Sequence, residues 1–405
     1  MAVVDKIVML SIMKQQNTKV VVVGGGFGGV KTALNLMNKP GFSVQLISDN
    51  THFQYHGALY RSAVGYSPME VVIPLKEIFE KARNVELILD SAAIINAEKQ
   101  CIASTTGETY AYDKAVFALG NTVNYYDIPG LEEHTVTMND IPSTIRLRKQ
   151  LIELFKRPHK KPVRIAVIGA GASGVELAGE IPSFAQLITK KYGIPMPPLK
   201  IVLIDAAKRV LPMLCEKASE KTQHRLQELG VEIHLNIGVN SCQDGIICMT
   251  AGNLQADLIV WTAGSKPVDF FKKNSDTFAL GRGGKVVVND YMQVAPYNNV
   301  YVLGDNADTP YSGMAQTALH DAKYITHNFL REQKKEKPAH YYAHRPLYVV
   351  TAGPQWAITQ KGSSVHSGRQ GWHTRRQADL SIFKNFQPYE QAIKTWRQAN
   401  RRNSF

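Results

Sequence analysis

The sequence predicts an α/β protein in which one supersecondary unit occurs twice: a buried strand, a glycine turn, a helix and a second strand. The first copy begins with the β-branched run at 19–23, and the second begins at 163–168. Continuous apolar runs of this kind are typical of parallel strands that are covered on both faces. The chain of 405 residues leaves room for both copies and for further segments.

The composition argues against several classes of protein. Hydrophobic residues make up 44% of the chain and charged residues 20%, which is ordinary for a globular protein and argues against disorder. No apolar run reaches the roughly 18 residues of a membrane-spanning helix. The four cysteines form no CxxC pair, so we expect no disulfide framework and no iron–sulfur cluster. Scattered histidines and the lack of a GxSxG motif predict neither a metal site nor a serine hydrolase.

The elements of the first unit follow one another closely. Residues 1–18 are expected to form an N-terminal extension, in which Met13 is an alternative start. The elements predicted after it are a strand at 19–23, a glycine turn at 24–29, a helix to Asn38, a strand at 43–47, short antiparallel strands within 91–112, and an apolar segment at 114–119 that ends in Gly120.

The second unit repeats this order after a polar hinge at 158–162. The predicted elements are a helix at 142–156, a strand at 163–168, a glycine turn at 169–174 with a helix, a strand at 200–204, and a strand at 258–261 followed by Gly264. An apolar strand then ends in Gly304 and Asp305, and a helix is predicted at 313–331. From Lys337 to about Gln377 we expect irregular chain.

The two glycine turns predict two dinucleotide-binding sites of the Rossmann type. In such a turn the first glycine allows the tight bend, the second lets the backbone approach a pyrophosphate, and the third lets the helix pack on the strand. The phosphates then lie against N–H groups at the positive end of the helix. The residues in these roles are Gly24, Gly26 and Gly29, with Phe27 and Gly28 between them, and Gly169, Gly171 and Gly174.

A carboxylate at the end of the second strand is expected to bind the adenosine ribose. Asp205 directly follows the strand at 200–204, and an acid there favours NADH because it would repel a 2′-phosphate. In the first unit the equivalent position is Ser48. Asp49 is assigned to the ribose on the assumption that the register shifts by one residue.

These motifs together resemble the flavoproteins with two dinucleotide-binding domains, and among them the type II NADH dehydrogenases. The resemblance extends from about Lys19 to Leu330. Its most specific segment is GVELAG at 174–179. The segments that carry it are GGGFGG (24–29), YDKAVFALG (112–120), GAGASGVELAGE (169–180), VWTAG (260–264), GD (304–305) and AQ (315–316).

The resemblance implies a fold of two Rossmann-like domains and two cofactors. The first loop would hold FAD and the second NADH. An NADH-binding domain at 141–270 would be inserted in an FAD-binding domain formed by 19–140 and 271–335, with a C-terminal extension at 336–405. Asp305 would bond the ribityl–pyrophosphate region of FAD, and Gly120, Gly264 and Gly304 would belong to the cofactor sites.

Three residues are assigned to catalysis by the same resemblance. Glu176 would position the nicotinamide against the flavin or govern proton traffic to a quinone. Gln316 matches the start of the AQxAxQQ quinone segment of the family, whose later glutamines are replaced here by His320 and Asp321. His320 could bond a quinone carbonyl or deliver a proton, or it could be a surface histidine. His56 is a weaker candidate for an approach to the flavin.

The C-terminal region carries most of the net charge of +13, since residues 331–405 have fourteen Lys and Arg against four Asp and Glu. Apolar residues recur there at helical spacing, and Pro388 is expected to split or kink the helix. A basic amphipathic helix suits an anionic membrane surface. The alternative is a helix packed on its own domain or on a second copy in a homodimer. The apolar residues are Leu380, Phe383, Phe386, Tyr389, Ile393 and Trp396.

The sequence therefore predicts a non-proton-pumping enzyme that transfers hydride from NADH to FAD and two electrons to a quinone. We expect it in the cytoplasm or bound peripherally at the cytoplasmic side of a membrane. One alternative is a soluble NADH oxidase or reductase that uses oxygen or a protein carrier. A less favoured alternative is a non-catalytic nucleotide-sensing flavoprotein whose basic tail binds nucleic acid or an acidic partner. For the favoured enzyme we expect no nucleic-acid partner.

Overall fold

The computed structural model describes residues 17–68, 71–157, 161–399 and 402. The predicted N-terminal extension at 1–18 lies almost entirely outside the described residues, as does the first part of the hinge at 158–162. Among the described residues, no helix combines the length and the apolar composition that crossing a membrane requires.

The β-strands are numbered in chain order over the described residues. They are β1 (Thr18–Val23), β2 (Phe42–Ser48), β3 (His52–Gln54), β4 (Val72–Pro74), β5 (Val85–Leu89), β6 (Ala92–Asn96), β7 (Cys101–Ser104), β8 (Thr109–Ala111), β9 (Lys114–Phe117), β10 (Asn121–Val123), β11 (Val163–Ile168), β12 (Leu199–Ile204), β13 (Val231–His234), β14 (Val239–Gln243), β15 (Ile246–Met249), β16 (Gly252–Gln255), β17 (Leu258–Trp261), β18 (Ser265–Pro267), β19 (Val300–Val302), β20 (Tyr348–Thr351), β21 (Ala357–Lys361) and β22 (Ser364–His366).

The α-helices are numbered in the same way. They are α1 (Phe27–Leu36), α2 (Leu59–Ala63), α3 (Leu75–Ile78), α4 (Leu131–His134), α5 (Ile141–Lys156), α6 (Ala172–Tyr192), α7 (Glu216–Glu228), α8 (Phe270–Lys273), α9 (Ala315–Gln333), α10 (Arg369–Phe386) and α11 (Tyr389–Gln398). Short 3₁₀ turns occur at His56–Ala58, Arg282–Gly284 and Gly304–Asn306.

The chain divides into two compact units, each formed by three separate segments that alternate along the sequence. The first unit comprises the chain up to Phe53, Pro74–Gly120 and Pro267–His344, and the second comprises Gln54–Ile73, Asn121–Lys266 and Arg345–Phe405. Compared with the predicted boundaries, the second unit also contains Gln54–Ile73 and most of the expected C-terminal extension.

The first unit is built on a five-stranded parallel sheet with the order β19–β9–β1–β2–β5. The central strand β1 pairs in parallel with β2 and β9, so that Val23 lies opposite both Ile47 and Phe117. Val20–Val23 are buried, as the β-branched run predicts for a strand covered on both faces. Because parallel strands end at one edge, Gly24 and Gly304 follow β1 and β19 at the same edge of the sheet.

The second unit repeats this design with a four-stranded parallel sheet in the order β13–β12–β11–β17. Its central strand β11 places Ile168 opposite Ile204 of β12 and Trp261 of β17. These three side chains belong to one buried core cluster. The unit also contains two antiparallel three-stranded sheets, β14–β15–β16 and β20–β21–β22. Two parallel sheets, each with a glycine turn after the central strand, confirm the predicted α/β fold class.

The C-terminal region is more regular than the sequence predicts. Irregular chain was expected from Lys337 to about Gln377, whereas strands β20, β21 and β22 and the beginning of α10 lie there. This prediction was wrong because the strands are only three to five residues long, too short to display an alternating pattern. Val350, Ala357 and Ile358 are nevertheless buried, and they tie this segment into the second unit.

The predicted amphipathic helix is split at Pro388, as expected, into α10 and α11. Its apolar stripe faces inward, since Phe383 is 1% exposed and Phe386 is 3% exposed. Trp396 is also engaged, because its indole N–H donates to the carbonyl oxygen of Arg376 at 2.6 Å. Only Tyr389 at the start of α11 is largely exposed. The stripe therefore packs on its own unit, which is the alternative that the sequence left open.

Candidate functional site

The first glycine loop leaves β1 through a turn that requires glycine. Gly24 has a φ of +118°, and a Cβ there would lie 2.2 Å from the carbonyl oxygen of Ala118. A Cβ at Gly29 would lie 1.9 Å from the carbonyl oxygen of Gly24, and one at Gly28 would lie 2.1 Å from Leu303. These contacts are the turn and packing functions that a dinucleotide-binding loop assigns to its glycines.

Gly26 differs from its neighbours because nothing in the protein crowds it. It is the N-cap residue of α1 with a φ of −88°, and a Cβ there would meet no atom within 4 Å. The first N–H groups of a helix have no acceptor within the helix, so this open space suits the pyrophosphate of FAD. Phe27 packs edge-to-face on Phe53 at 4.9 Å and so fixes the beginning of the helix.

The second glycine loop has the same construction. Gly169 has a φ of +114°, and a Cβ there would lie 2.7 Å from the amide nitrogen of Ala263. At Gly174 a Cβ would lie 1.8 Å from the carbonyl oxygen of Gly169, whereas at Gly171 it would meet nothing within 4 Å. Gly171 is the N-cap of α6. The second loop therefore fits a dinucleotide by the same criteria as the first.

The end of strand β17 holds the second loop in place. Thr262 donates its hydroxyl to the carbonyl oxygen of Ile168 at 2.9 Å, and this role was not predicted from the sequence. A Cβ at Gly264 would lie 2.8 Å from the carbonyl oxygen of Asn124 and 2.5 Å from the Tyr126 ring. Glycine is therefore required at position 264 because the segment that contains Asn124 and Tyr126 approaches closely. The assignment of Gly264 to the cofactor stays a prediction.

Asp205 directly follows strand β12, at the position predicted for ribose binding. Its carboxylate accepts hydrogen bonds from the amide of Ala170 at 2.5 Å and from the amide of Ala207 at 2.7 Å. The first of these bonds fixes Asp205 against the glycine loop. A carboxylate has about four lone-pair positions, so the remaining ones fit the two ribose hydroxyls of NADH.

In the first unit, the register places Ser48 beside the loop. A Cβ at Gly25 would lie 2.3 Å from the hydroxyl oxygen of Ser48, which itself accepts from the amide of Asn50 at 3.1 Å. Asp49 is exposed and accepts from the side-chain amide of Asn50 at 2.8 Å. The ribose role of Asp49 stays a prediction, and Ser48 is the residue that the fold brings to the loop.

The turn after β19 is held by an asparagine that the sequence did not single out. Gly304 has a φ of +66°, and Asp305 follows it in the 3₁₀ turn, half-buried. Asn306 is fully buried. Its side chain accepts from the amide of Gly120 at 2.9 Å and donates to the carbonyl oxygen of Gly120 at 2.7 Å. This pair of hydrogen bonds holds the ends of β9 and β19 together and so positions Asp305.

Asp321, one of the two departures from the AQxAxQQ pattern, supports the same turn. Its carboxylate accepts from the amide of Gly304 at 3.0 Å and from the hydroxyl of Tyr341 at 2.7 Å. Burial raises the pKa of Asp321 to about 6, although both hydrogen bonds oppose the rise. The buried carboxylate thus serves the turn that precedes Asp305.

Gln316 and His320 lie on α9, in the first unit. Gln316 is half-buried in the first turn of the helix. The Nε2 atom of His320 donates to the carbonyl oxygen of Tyr342 at 2.8 Å, and its ring lies 5.8 Å from that of His344. His320 is therefore held by the chain that follows α9, and its proposed contact with a quinone stays a prediction.

Glu176 lies in the first turns of α6 and is buried. Its Oε1 atom accepts from Nη1 of Arg375 at 2.6 Å and from the hydroxyl of Thr351 at 3.4 Å. Burial raises the pKa of Glu176, and the Arg375 guanidinium opposes the rise without cancelling it. A carboxyl with a raised pKa beside a cation is able to hold or release a proton at a higher pH than an exposed glutamate.

Arg375 itself belongs to a buried ionic cluster in the second unit. Its Nε atom donates to Asp379 at 3.0 Å, and Arg61 donates to the other carboxylate oxygen of Asp379 at 2.7 Å. The hydroxyl of Tyr55 also donates to Asp379, at 2.8 Å. Burial alone would raise the pKa of Asp379, but the Arg61 and Arg375 guanidiniums lower it to about 2. Sequence reasoning missed this cluster.

Two other polar residues of the second unit lie near this cluster in the chain. His56 is exposed, and the residue after it, Gly57, accepts a hydrogen bond from Arg375 at its carbonyl oxygen. Glu180, one turn after Glu176 on α6, pairs with Arg402. This ion pair gives Glu180 a structural role. Among the described residues, no group of histidine, cysteine or acidic side chains could hold a metal ion.

Comparison with known proteins identifies the family. The sequence-family model of the pyridine nucleotide-disulphide oxidoreductases matches residues 18–322. The type II NADH:quinone oxidoreductase Ndh of Mycobacterium tuberculosis is 30% identical over 343 residues, which cover 79% of this chain and 74% of that protein. The type II NADH:quinone oxidoreductase of Staphylococcus aureus is 25% identical over 340 residues, covering 79% of this chain and 83% of the relative.

Solved structures show the same fold. NDH2 from Plasmodium falciparum in complex with NADH has a TM-score of 0.85 at 15% identity, covering 94% of this chain and 97% of that one. The sulfide:quinone oxidoreductase of Aquifex aeolicus has a TM-score of 0.76 at 20% identity, with 94% and 92% covered. Together with the two glycine loops, these similarities show that the chain belongs to the pyridine nucleotide-disulphide oxidoreductases and, within them, to the type II NADH:quinone oxidoreductases.

Proposed function

We propose that the chain oxidises NADH by way of a bound FAD and passes the two electrons to a quinone. The observation that carries the proposal is the pair of glycine loops with one design, of which the second has Asp205 at its ribose position. The relatives in M. tuberculosis and S. aureus are named for this reaction. It balances as NADH, one proton and quinone giving NAD⁺ and quinol.

The first unit supplies the FAD site. When bound, FAD provides the two-electron chemistry that no amino-acid side chain provides. The N–H groups at the start of α1, around Gly26, would hold its pyrophosphate, and Asp305 would bond its ribityl–pyrophosphate region. Asn306 keeps Gly120 and the turn of Asp305 in register, as the bonds described above show.

The second unit supplies the NADH site. The amides at the start of α6, around Gly171, would hold the pyrophosphate of NADH. Asp205, held against the loop by Ala170, would accept the ribose hydroxyls. The same carboxylate would repel a 2′-phosphate, so NADPH is expected to be the poorer donor.

Reduction of a quinone to quinol requires two protons as well as two electrons, so the acceptor step needs a proton-carrying group. Glu176 is the best candidate, because it is buried, its pKa is raised and it is paired with Arg375. Gln316 and His320 are the proposed ligands of the quinone carbonyls. His320 would have to release the carbonyl oxygen of Tyr342 for its Nε2 atom to take part.

Oxygen as the acceptor is the second candidate. His320 and Asp321 replace the glutamines of the quinone segment, and both are engaged within the unit, with Tyr342, Tyr341 and Gly304. A water-forming NADH oxidase of Lactobacillus brevis shares the fold, with a TM-score of 0.68 at 20% identity. The choice of acceptor is therefore part of the test below.

Peripheral attachment to an anionic membrane is a further part of the proposal. Because Phe383 and Phe386 are buried, they are not the contact. The exposed face of α10 and α11 is the surface that remains for a membrane contact. It is basic and carries one large aromatic residue, Tyr389, which is 65% exposed. Such an attachment would depend mainly on charge, at about 1 kcal/mol per basic residue, and would weaken with salt. Lys384 lies over the ring of Tyr389 at 4.7 Å, and Lys394 and Arg397 are exposed on α11.

Stopped-flow mixing tests the reaction. The purified protein is mixed with NADH under anaerobic conditions, and then with a quinone analogue or with oxygenated buffer. We expect NADH to bleach the visible flavin absorption and the quinone analogue to restore it much faster than oxygen does. Equal rates of recovery would favour the oxidase. Failure of NADH to bleach the flavin would refute the proposal as a whole.

A further inference from the structure

Asp379 lies at the centre of the buried ionic cluster and is linked to Glu176 through Arg375. It is fully buried and faces three arginines, Arg61, Arg375 and Arg376, at 2.7, 3.0 and 3.7 Å. We propose that Asp379 is a positioning residue that shares Arg375 with Glu176 and so keeps Glu176 able to exchange a proton. This inference rests on the proposed function of Glu176 in the acceptor step.

The geometry of Arg375 shows how it is shared. Its planar guanidinium is held on three sides: Nε donates to Asp379, Nη1 donates to Glu176, and Nη2 donates to the carbonyl oxygen of Gly57. Its side chain is 5% exposed. A guanidinium fixed in this way cannot turn toward one carboxylate alone, so the two carboxylates divide its charge.

The charges around the cluster explain why the division matters. Glu176 faces Arg375 directly and Arg61 at longer range, while its other contacts are to the neutral Thr351. Without Asp379, Glu176 would be the anion that faces these guanidiniums. A cation close to a carboxyl lowers its pKa by about 1–3 pH units, and Glu176 would then stay a carboxylate throughout turnover.

Two further titratable groups beside the cluster have partners of their own. Glu180, on the same helix as Glu176, pairs with Arg402. Arg402 also lies over the ring of Tyr66 at 4.7 Å. Tyr55 donates its hydroxyl to Asp379, and burial beside that carboxylate raises the pKa of Tyr55, so it stays neutral. The balance at Glu176 is therefore set by Asp379 against the arginines of the cluster.

The test is Asp379→Asn, which removes the charge and keeps the shape. Two quantities are followed against pH. One is the rate at which a quinone analogue reoxidises the reduced flavin, and the other is the infrared carbonyl band of protonated Glu176, assigned by its loss in Glu176→Gln. We expect both to shift to lower pH by about one pH unit or more. An unchanged band, or a shift to higher pH, would overturn the proposal.

Two further variants keep the result interpretable. Arg61→Gln with Asp379→Asn removes one charge of each sign, so it avoids leaving a buried unpaired guanidinium. We expect this double variant to shift the pH dependence of the Glu176 band in the same direction by a smaller amount. No shift of the band in either the single or the double variant would refute the charge sharing. Arg369→Gln, at an exposed position of the same helix, is the matched control and should leave both curves unchanged.

The infrared band separates this inference from the proposed function. If Glu176→Gln leaves the quinone half-reaction unchanged, the catalytic role of Glu176 is wrong. The band would still report whether Asp379 governs the charge of Glu176 in the resting protein. If the band moves in Asp379→Asn while the reoxidation rate does not, Asp379 controls a carboxyl that turnover does not use, and the positioning role fails.

Discussion

Replacing Gly26 or Gly171 by alanine separates the two proposed dinucleotide sites. Both glycines are N-caps of their helices with negative φ values of −88° and −72°, which alanine adopts without strain. A Cβ at either position would meet no protein atom within 4 Å. Each substitution therefore adds one methyl group to space that, in this account, belongs to a pyrophosphate.

The expected cost follows from what the methyl group displaces. Charge-assisted hydrogen bonds from helix N–H groups to a phosphate contribute about 1.5–3 kcal/mol each. The loss or lengthening of one such bond corresponds to a dissociation constant that is larger by about tenfold to hundredfold. The fold should be little affected, with a change in the free energy of unfolding of the apoprotein within about 1 kcal/mol, because no packed atom has to move.

The two variants should differ in which nucleotide they lose. We expect Gly26→Ala to be isolated with less flavin and to bind added FAD weakly by fluorescence titration, while Gly171→Ala keeps its flavin and binds NADH weakly in anaerobic titrations. Gly24→Ala is the contrasting case, since its Cβ would lie 2.2 Å from a backbone oxygen and should destabilise the first unit itself. Normal FAD binding by Gly26→Ala, or loss of flavin from Gly171→Ala, would refute the assignment.

Three further predictions follow from the contacts of buried or loop-bound carboxylates. Asp205→Ser should raise kcat/KM for NADPH relative to NADH by about tenfold or more, because the negative charge at the ribose position is removed; an unchanged ratio would mean that Asp205 does not face the ribose. Asp321→Ala leaves the amide of Gly304 and the hydroxyl of Tyr341 without their acceptor, which should cost about 1–3 kcal/mol for each group in urea unfolding and weaken FAD binding; a variant as stable as the wild type would contradict this. Asp379 has a pKa of about 2, below the ordinary value of 3.8, so its ionised form stabilises the fold above about pH 4. That contribution, about 2 kcal/mol, is lost as the pH falls toward 2. The difference in the free energy of unfolding between the wild type and Asp379→Asn should therefore shrink as the pH falls, and a difference that does not vary with pH would show that Asp379 is not held as an anion.

Local patterns were sufficient to predict the parallel sheets and the glycine loops. The turn residues Gly24 and Gly169 and the open positions Gly26 and Gly171 could be assigned because strand, turn and helix are consecutive in the chain. Asp205 was predictable for the same reason, since it directly follows β12. A dinucleotide-binding loop is thus a local feature whose requirements can be read from about thirty residues.

Contacts between distant segments could not be predicted in this way. Arg61 and Asp379 are separated by 318 positions, and Gly120 and Asn306 by 186. Arg61, Asp379 and Asn306 taken alone have ordinary polar or charged side chains, and only the fold shows that they are buried and paired. The inward-facing stripe of Phe383 and Phe386 shows the same limit, since helical spacing marks an apolar face and does not identify what covers it.

The flavin content and its response to NADH test the central claim most directly. The purified chain is examined by visible absorption, its flavin is released and measured against protein concentration, and NADH is then added without oxygen. The account predicts a yellow protein with about one FAD per chain, whose flavin absorption is bleached by NADH. A chain that is colourless and stays so after incubation with FAD, or one whose flavin does not respond to NADH, would contradict it.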